Sequence, residues 1–318
     1  MIDPAGLADA VRGGDRVALA RLLSMVEAGG DDARAAMAAL PVTAADAAWT
    51  VGITGAPGAG KSTLTTELVR HFRVSGARVG VLAVDPSSPF TGGAILGDRV
   101  RMHDHTTDAD VFIRSMASRG HLGGLARAVP QAVRVLAAAG HHWIIVETVG
   151  VGQVEVEIAG TADTTVVVVN PGWGDGVQAA KAGLLEIGDV FVVNKADRDG
   201  VAATVRDLEG MLDLAGERAW RPPVLETVAT SQRGIDALAE AIGRHRAALE
   251  DSRELVQRRE QRIADEIHAL VLDRLIKQAD DFCSGIRFAT VVRRVADGIS
   301  DPYTAATLLT EGDDGGEA

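Results

Sequence analysis

Apolar positions change their spacing twice along the chain. Leu7, Val11, Val17, Leu19, Leu22, Leu23 and Val26 fall at helical spacing, and Gly13-Gly14 divides them into two pieces. This predicts a helical extension over residues 1–47, too short to bury a core by itself. From Ala48 the pattern becomes short β-branched runs separated by helical stretches. Residues 49–54, 79–84, 111–113, 143–146, 165–169 and 190–193 read as buried strands. Residues 64–74 and 122–139 read as helices between them, the second kinked or split at Pro130. Such a series predicts an α/β fold with a mostly parallel sheet flanked by helices. After Ile242 the strand signal fades. Leu255, Ile263, Ile267, Leu270, Val271 and Ile276, set among dense Arg and Glu, predict one long amphipathic helix over 247–278. Residues 283–309 predict a second helical piece, interrupted by Gly298 and Pro302. The expected division is an extension (1–47), an α/β domain (48–246), a helical arm (247–310) and a disordered acidic tail (311–318).

In sheets of this kind ligands bind beyond the carboxyl ends of the strands. Five predicted strands end there in polar residues: Thr54, Asp85, Glu147, Asn170 and Asn194. After the first strand comes Gly55-Ala56-Pro57-Gly58-Ala59-Gly60-Lys61-Ser62-Thr63, which fits G-x-x-x-x-G-K-[ST] and makes the predicted architecture that of a P-loop NTPase. Its glycines let successive N–H groups surround phosphate at the positive end of a helix. Lys61 would reach the outer phosphates, as ligand and catalytic group, and the Ser62 hydroxyl would bind Mg²⁺.

Asn194-Lys195-Ala196-Asp197 follows a buried strand in the order that specifies guanine downstream of a P-loop. Asp197 can accept from N1–H and N2–H₂ of the base together, a donor pair that adenine lacks. Two hydrogen bonds to a charged group, at about 1.5–3 kcal/mol each, give roughly 10²–10⁴-fold preference for GTP over ATP. Ala229-Thr230-Ser231, after a strand expected at 224–228, stands where such proteins close over the base. Glu147-Thr148-Val149-Gly150 stands where many GTPases carry D-x-x-G: Glu147 would hold Mg²⁺ and the Gly150 N–H the γ-phosphate. Asp85, and Asp98 in the Gly-rich loop 92–101, are further candidates for the metal or the attacking water. Each also reads as a cap or a solvated loop charge. Val151 follows Gly150, and the nearest glutamine is Gln153, which predicts slow hydrolysis accelerated by a partner.

Composition narrows the remaining choices. With 47% hydrophobic but only 3% aromatic residues, the core must be built from Ala, Val, Leu and Ile. A net charge of −12 argues against a nucleic-acid groove and leaves room for a local nucleotide site. Cys283 is the single cysteine, which excludes an intrachain disulfide and reads as a packed or inert thiol in a reducing compartment. Met102-His103-Asp104-His105 and His141-His142 lack further ligands at metal-site spacing and read as surface histidines. The N-terminus has neither signal-peptide nor presequence character, and no apolar run approaches bilayer length. A soluble cytoplasmic protein without a membrane partner is expected.

The P-loop, Val84-Asp85-Pro86-Ser87-Ser88-Pro89, Gly92-Gly93-Ala94-Ile95-Leu96-Gly97-Asp98-Arg99 and Glu147-Thr148-Val149-Gly150-Val151-Gly152-Gln153 together resemble the MeaB/ArgK GTPases. That family includes the bacterial MeaB proteins and the human methylmalonic aciduria type A protein. Pro171-Gly172-Trp173-Gly174-Asp175 and Gln178-Ala179-Ala180-Lys181-Ala182-Gly183 are similar to its extra switch loop, and Asp301-Pro302-Tyr303 to its C-terminal segment. The resemblance runs from about residue 10 to residue 310. It implies a GTP/GDP-binding chaperone of adenosylcobalamin-dependent methylmalonyl-CoA mutase, a homodimer formed through the C-terminal arms, and a switch role for Lys181. Ala229-Thr230-Ser231 departs from the family's usual Ser-Ala pair. A P-loop kinase acting on a small molecule or a transport protein is the alternative, and older naming of relatives follows it. A nickel-chaperone GTPase is disfavoured because no His-rich or Cys-His segment is present.

Overall fold

The computed structural model describes residues 3–86, 105, 107–118, 124–148, 160–172, 178–214, 216 and 219–311, with side chains for all of these except 42, 44, 45, 85, 86, 117, 118, 124–127 and 178–182. Seven strands form one parallel sheet: β1 (Trp49–Gly55), β2 (Val79–Pro86), β3 (Val111–Ser118), β4 (Trp143–Thr148), β5 (Thr164–Val169), β6 (Val190–Asn194) and β7 (Val224–Thr227). Their order is β3-β2-β4-β1-β5-β6-β7, so the P-loop strand lies at the centre. Every residue of β1 and β5 is buried, and both strands are built from apolar residues with Thr and Gly and carry no charged side chain.

Both faces are covered. Val51, Ile53, Ile145, Val166 and Val168 pack with Leu64 and Leu68 of α4 (Lys61–Val74) and with Leu238 and Ile242 of the late helix Ile235–Ser252. On the opposite face Ile144 and Val146 meet α5 (Gly124–Ala138) and the N-terminal helices α1 (Pro4–Arg12), α2 (Arg16–Ala28) and α3 (Asp31–Ala39). The expected helical extension is therefore part of the sheet's cover. Val167, Val169, Phe191 and Val193 pack with Leu184 of α6 (Gln178–Ile187) and Leu208 of α7 (Val201–Leu214). We number the late helix α8.

Several boundaries differ from the sequence reading. β3 extends five residues past Ile113 because it pairs with β2 residue by residue as far as Pro86 and Ser118. β7 stops at Thr227, since Val228 turns away to bridge Arg233. α5 runs through Pro130 as one helix and forgoes one helical hydrogen bond there. The single helix expected over 247–278 is two. Arg253, at φ 62°, ends α8 in a left-handed turn, and α9 (Glu254–Phe282) starts afresh.

The chain divides into two compact units, Met1–Arg262 and Ile263–Ala318. In the first, Leu255 packs on the sheet's core, and Arg259 and Arg262 pair with the buried Asp163. The second holds the rest of α9 with α10 (Gly285–Ala296) and α11 (Pro302–Glu311), whose Val291, Ala305 and Leu309 form a small core of their own. Asp301 caps α11 by accepting from the N–H groups of Tyr303 and Thr304, at 2.9 and 3.1 Å. Glu311 closes that helix, and residues 312–318 of the expected tail lie outside the described residues. Cys283 is exposed rather than packed, because the turn between α9 and α10 leaves it at the surface. Among the described residues no helix is long and apolar enough to cross a membrane.

Candidate functional site

β1 delivers the chain to the P-loop at the carboxyl edge of the sheet. Gly55 has φ 132°, and a Cβ there would overlap the carbonyl of Val168 on β5, so only glycine can leave the strand here. Gly58 and Gly60 are also left-handed, at φ 72° and 94°. Gly60 precedes α4 with no side-chain cap on the helix. The first N–H groups of α4 are thus left to an anion at the positive helix end. Lys61 is buried and donates from Nζ to the carbonyls of Gly55 (2.7 Å) and Ala56 (3.2 Å). Ala56, Pro57 and Ala59 complete the loop, and Thr63 lies exposed on the first turn of α4.

Parallel pairing of β1, β2 and β4 sets Ile53, Ala83 and Glu147 in one row. This brings Glu147, 1% exposed, under α4, where Ser62 donates to its Oε1 at 2.6 Å. A hydroxyl and a carboxylate, both hard oxygen donors, therefore meet at the mouth of the P-loop. The Thr148 hydroxyl donates to that of Thr54 at 3.3 Å, joining the ends of the same strands.

The loop after β6 is bonded to the P-loop itself. Asn194 donates to the Ala59 carbonyl (2.8 Å), and its Oδ1 accepts from the Thr227 hydroxyl (3.0 Å) and the Ala229 N–H (3.2 Å). Lys195, at φ 60°, donates from Nζ to the Gly58 carbonyl at 2.6 Å. Asp197 is exposed at the tip of this loop. Of the 229–231 trio, Ala229 alone among the described contacts reaches Asn194; Thr230 and Ser231 are exposed, and the Ser231 hydroxyl donates to Val228. The carbonyl of Ala196 also accepts from Arg233 Nη2 at 2.9 Å.

The structure thus gathers residues 55–63, Glu147, Asn194, Lys195 and Ala229. Asp85 closes β2 at the same edge, but its side chain is not among those described; Lys181 lies on α6 with the same restriction. Asp98, Gly150 and Gln153, with the loop 92–101, lie outside the described residues. Thr227 and Arg233 escaped the sequence reading. Thr227 had one available signal, a hydroxyl closing a strand beside the base loop; Arg233 had none.

Two of the histidines contradict the surface reading. His105 is buried, with Nε2 at 3.0 Å from the Thr66 carbonyl, and His141 is buried with Nδ1 at 2.9 Å from that of Leu136. Each ring fills a gap beside a helix whose carbonyl it can satisfy, which outweighs its polarity. Burial pushes His141 down to about 4, against the opposing pull of the Leu136 carbonyl. Among the described residues no three His, Cys, Asp or Glu side chains gather as a metal site.

A central P-loop strand in a parallel sheet, with a polar loop after β6 bonded to that P-loop, defines a P-loop nucleotide-binding protein. The chain belongs to the MeaB family: residues 19–282 match the family described as Methylmalonyl Co-A mutase-associated GTPase MeaB. A protein of Pyrococcus abyssi, provisionally named a GTPase, is 50% identical over 314 residues, covering 97% of this chain and 96% of that protein. The mouse protein named methylmalonic aciduria type A homolog, mitochondrial, is 34% identical over 266 residues, covering 81% of this chain and 64% of the mouse protein. The crystal structure of a protein named LAO/AO transport system kinase matches with a TM-score of 0.71 and 28% identity, over 97% of this chain and 96% of that one.

Proposed function

We propose that this protein is a Mg²⁺-dependent GTPase that gates adenosylcobalamin loading on methylmalonyl-CoA mutase and protects or reactivates that enzyme. The observation that carries the reading is the bonding of the 194–197 loop to the P-loop through Asn194 and Lys195, in a chain whose family is described as mutase-associated. Phosphate contacts and base choice are then parts of one rigid site.

In this reading the P-loop N–H groups and the Gly150 N–H hold the phosphates, and Lys61 swings from its loop carbonyls to the β- and γ-phosphate oxygens. The Ser62–Glu147 pair is the donor set that fits Mg²⁺, with Asp85 and Asp98 as further carboxylates. A metal held by these residues would supply charge neutralisation at the phosphates. Asp197 accepts from the guanine edge, and the Ala229 segment closes over the base. Lys181 passes the nucleotide state to the mutase. Hydrolysis is slow without that partner, since no glutamine follows Gly150. The protein acts in the cytoplasm as a homodimer joined through residues 247–310, without nucleic acid or membrane partners.

A kinase acting on a small molecule or a transport protein is a second reading, favoured by the similarity to the protein named LAO/AO transport system kinase. The experiment that tests the proposal is capture of an adenosylcobalamin-dependent methylmalonyl-CoA mutase by the immobilised protein, with GDP or a non-hydrolysable GTP analogue. Capture that depends on the nucleotide supports it; no capture in either state overturns it.

A further inference from the structure

We infer that Arg233 is the positioning residue that aims Asp197 at the guanine base. The inference rests on the guanine reading of residues 194–197 and adds a residue to it. Two left-handed residues flank Arg233: Gln232 at φ 62° and Gly234 at φ 83°. A Cβ at Gly234 would overlap the Glu226 carbonyl, so the turn has little freedom to move. Within it the Arg233 carbonyl accepts from the Val228 N–H at 3.0 Å, in an antiparallel bridge. With its backbone fixed, the side chain reaches back 37 residues to donate to the Ala196 carbonyl at 2.9 Å.

That carbonyl belongs to the peptide unit joining Ala196 to Asp197. Because the unit is planar, holding its oxygen also sets the direction in which Asp197 leaves. The other side of Ala196 is tied as well, its N–H donating to the Thr227 carbonyl at 2.9 Å. Lys195 just before it is left-handed at φ 60°, a conformation that persists only when its surroundings enforce it. Among the described residues the Arg233 guanidinium makes no ion pair, so its contact with the base loop is not a by-product of a salt bridge. Asp197 is exposed, and none of the described side-chain contacts fixes it directly. Its aim comes from the peptide before it.

The test is equilibrium titration of GDP and inosine diphosphate, which lacks the exocyclic amine that Asp197 would accept from. Native protein should prefer GDP to inosine diphosphate. Arg233→Ala should lose about ten-fold or more in GDP affinity, since both charged hydrogen bonds to Asp197 are misaligned, and should lose less in inosine diphosphate affinity, where only the N1–H bond is at stake. Arg233→Met retains the stem without the donors and should narrow the ratio similarly, so it carries the test if the alanine variant does not fold. Arg233→Lys, with a donor at similar reach, should recover part of the ratio. Equal losses for both nucleotides, or an unchanged ratio in Arg233→Met, would overturn the inference. The native preference for GDP over ADP tests the guanine reading separately, so the two can fail independently.

Discussion

Gly60 and Lys61 are neighbours that the fold uses in opposite ways. A Cβ on Gly60 would overlap the Asn194 amide, which is bonded to Ala59, and the left-handed backbone adds roughly 1–2 kcal/mol of strain for any L side chain. Gly60→Ala should therefore weaken GDP binding and lower the melting temperature together; calorimetry on the same samples reads both. Lys61 donates to the carbonyls of Gly55 and Ala56, and the left-handed glycines around it shape the loop without its side chain, so Lys61→Ala should keep the fold. Its hydrolysis should fall by about 10²-fold or more, as expected for loss of a charge that stabilises transferring phosphate. Unchanged turnover would remove Lys61 from the reaction. The P-loop was legible in the sequence because its residues are consecutive. The contacts of Asn194 and Lys195 with it were not, since they span 135 and 137 residues and depend on the strand order.

The turn after α5 makes one element sensitive to acid. His141 sits there, buried and held to the Leu136 carbonyl, and its folded value of about 4 lies below the ordinary value of 6.5. A histidine depressed in this way contributes stability above pH 6.5 and loses it as the pH falls toward 4. The fall from 6.5 to about 4 corresponds to about 3 kcal/mol across that window. His141→Asn cannot take the proton, so its stability should decline less than native between pH 6.5 and 4 when followed by denaturant titration. Parallel declines would place the acid sensitivity elsewhere. Periodicity also missed the burial of this histidine, because a ring that satisfies a helix carbonyl looks polar in sequence. It found β1, β4, β5 and β6, whose almost complete burial matches their runs of apolar, largely β-branched residues. It missed the break at Arg253, where a left-handed residue other than glycine leaves no compositional mark. It also left β3 short, since Arg114 and Ser115 owe their strand pairing to β2.

For the molecule as a whole, the second unit presents apolar residues that its own small core does not use. Ile263, Ile267, Leu270, Val271 and Ile276 of α9 are between 39% and 56% exposed and recur at helical spacing. This supports the proposal that α9 forms the homodimer contact. The informative truncation follows Arg262, because Arg258, Arg259 and Arg262 tie the first turns of α9 to Asp189 and Asp163 of the nucleotide unit. Light scattering should give a two-chain mass for the full protein and a one-chain mass for the truncation. A two-chain mass for both would move the interface elsewhere.

The central claim joins the nucleotide site to a mutase, and steady-state turnover tests it most directly. GTP hydrolysis by the full protein should be measured with and without adenosylcobalamin-dependent methylmalonyl-CoA mutase, following phosphate and GDP together. The account predicts slow release of both in equal amounts, accelerated by the mutase, with most of that acceleration lost in Lys181→Ala while the basal rate stays within a few-fold of native. A basal rate that the mutase leaves unchanged, or GDP formed without free phosphate because the phosphoryl group has passed to another acceptor, would contradict it.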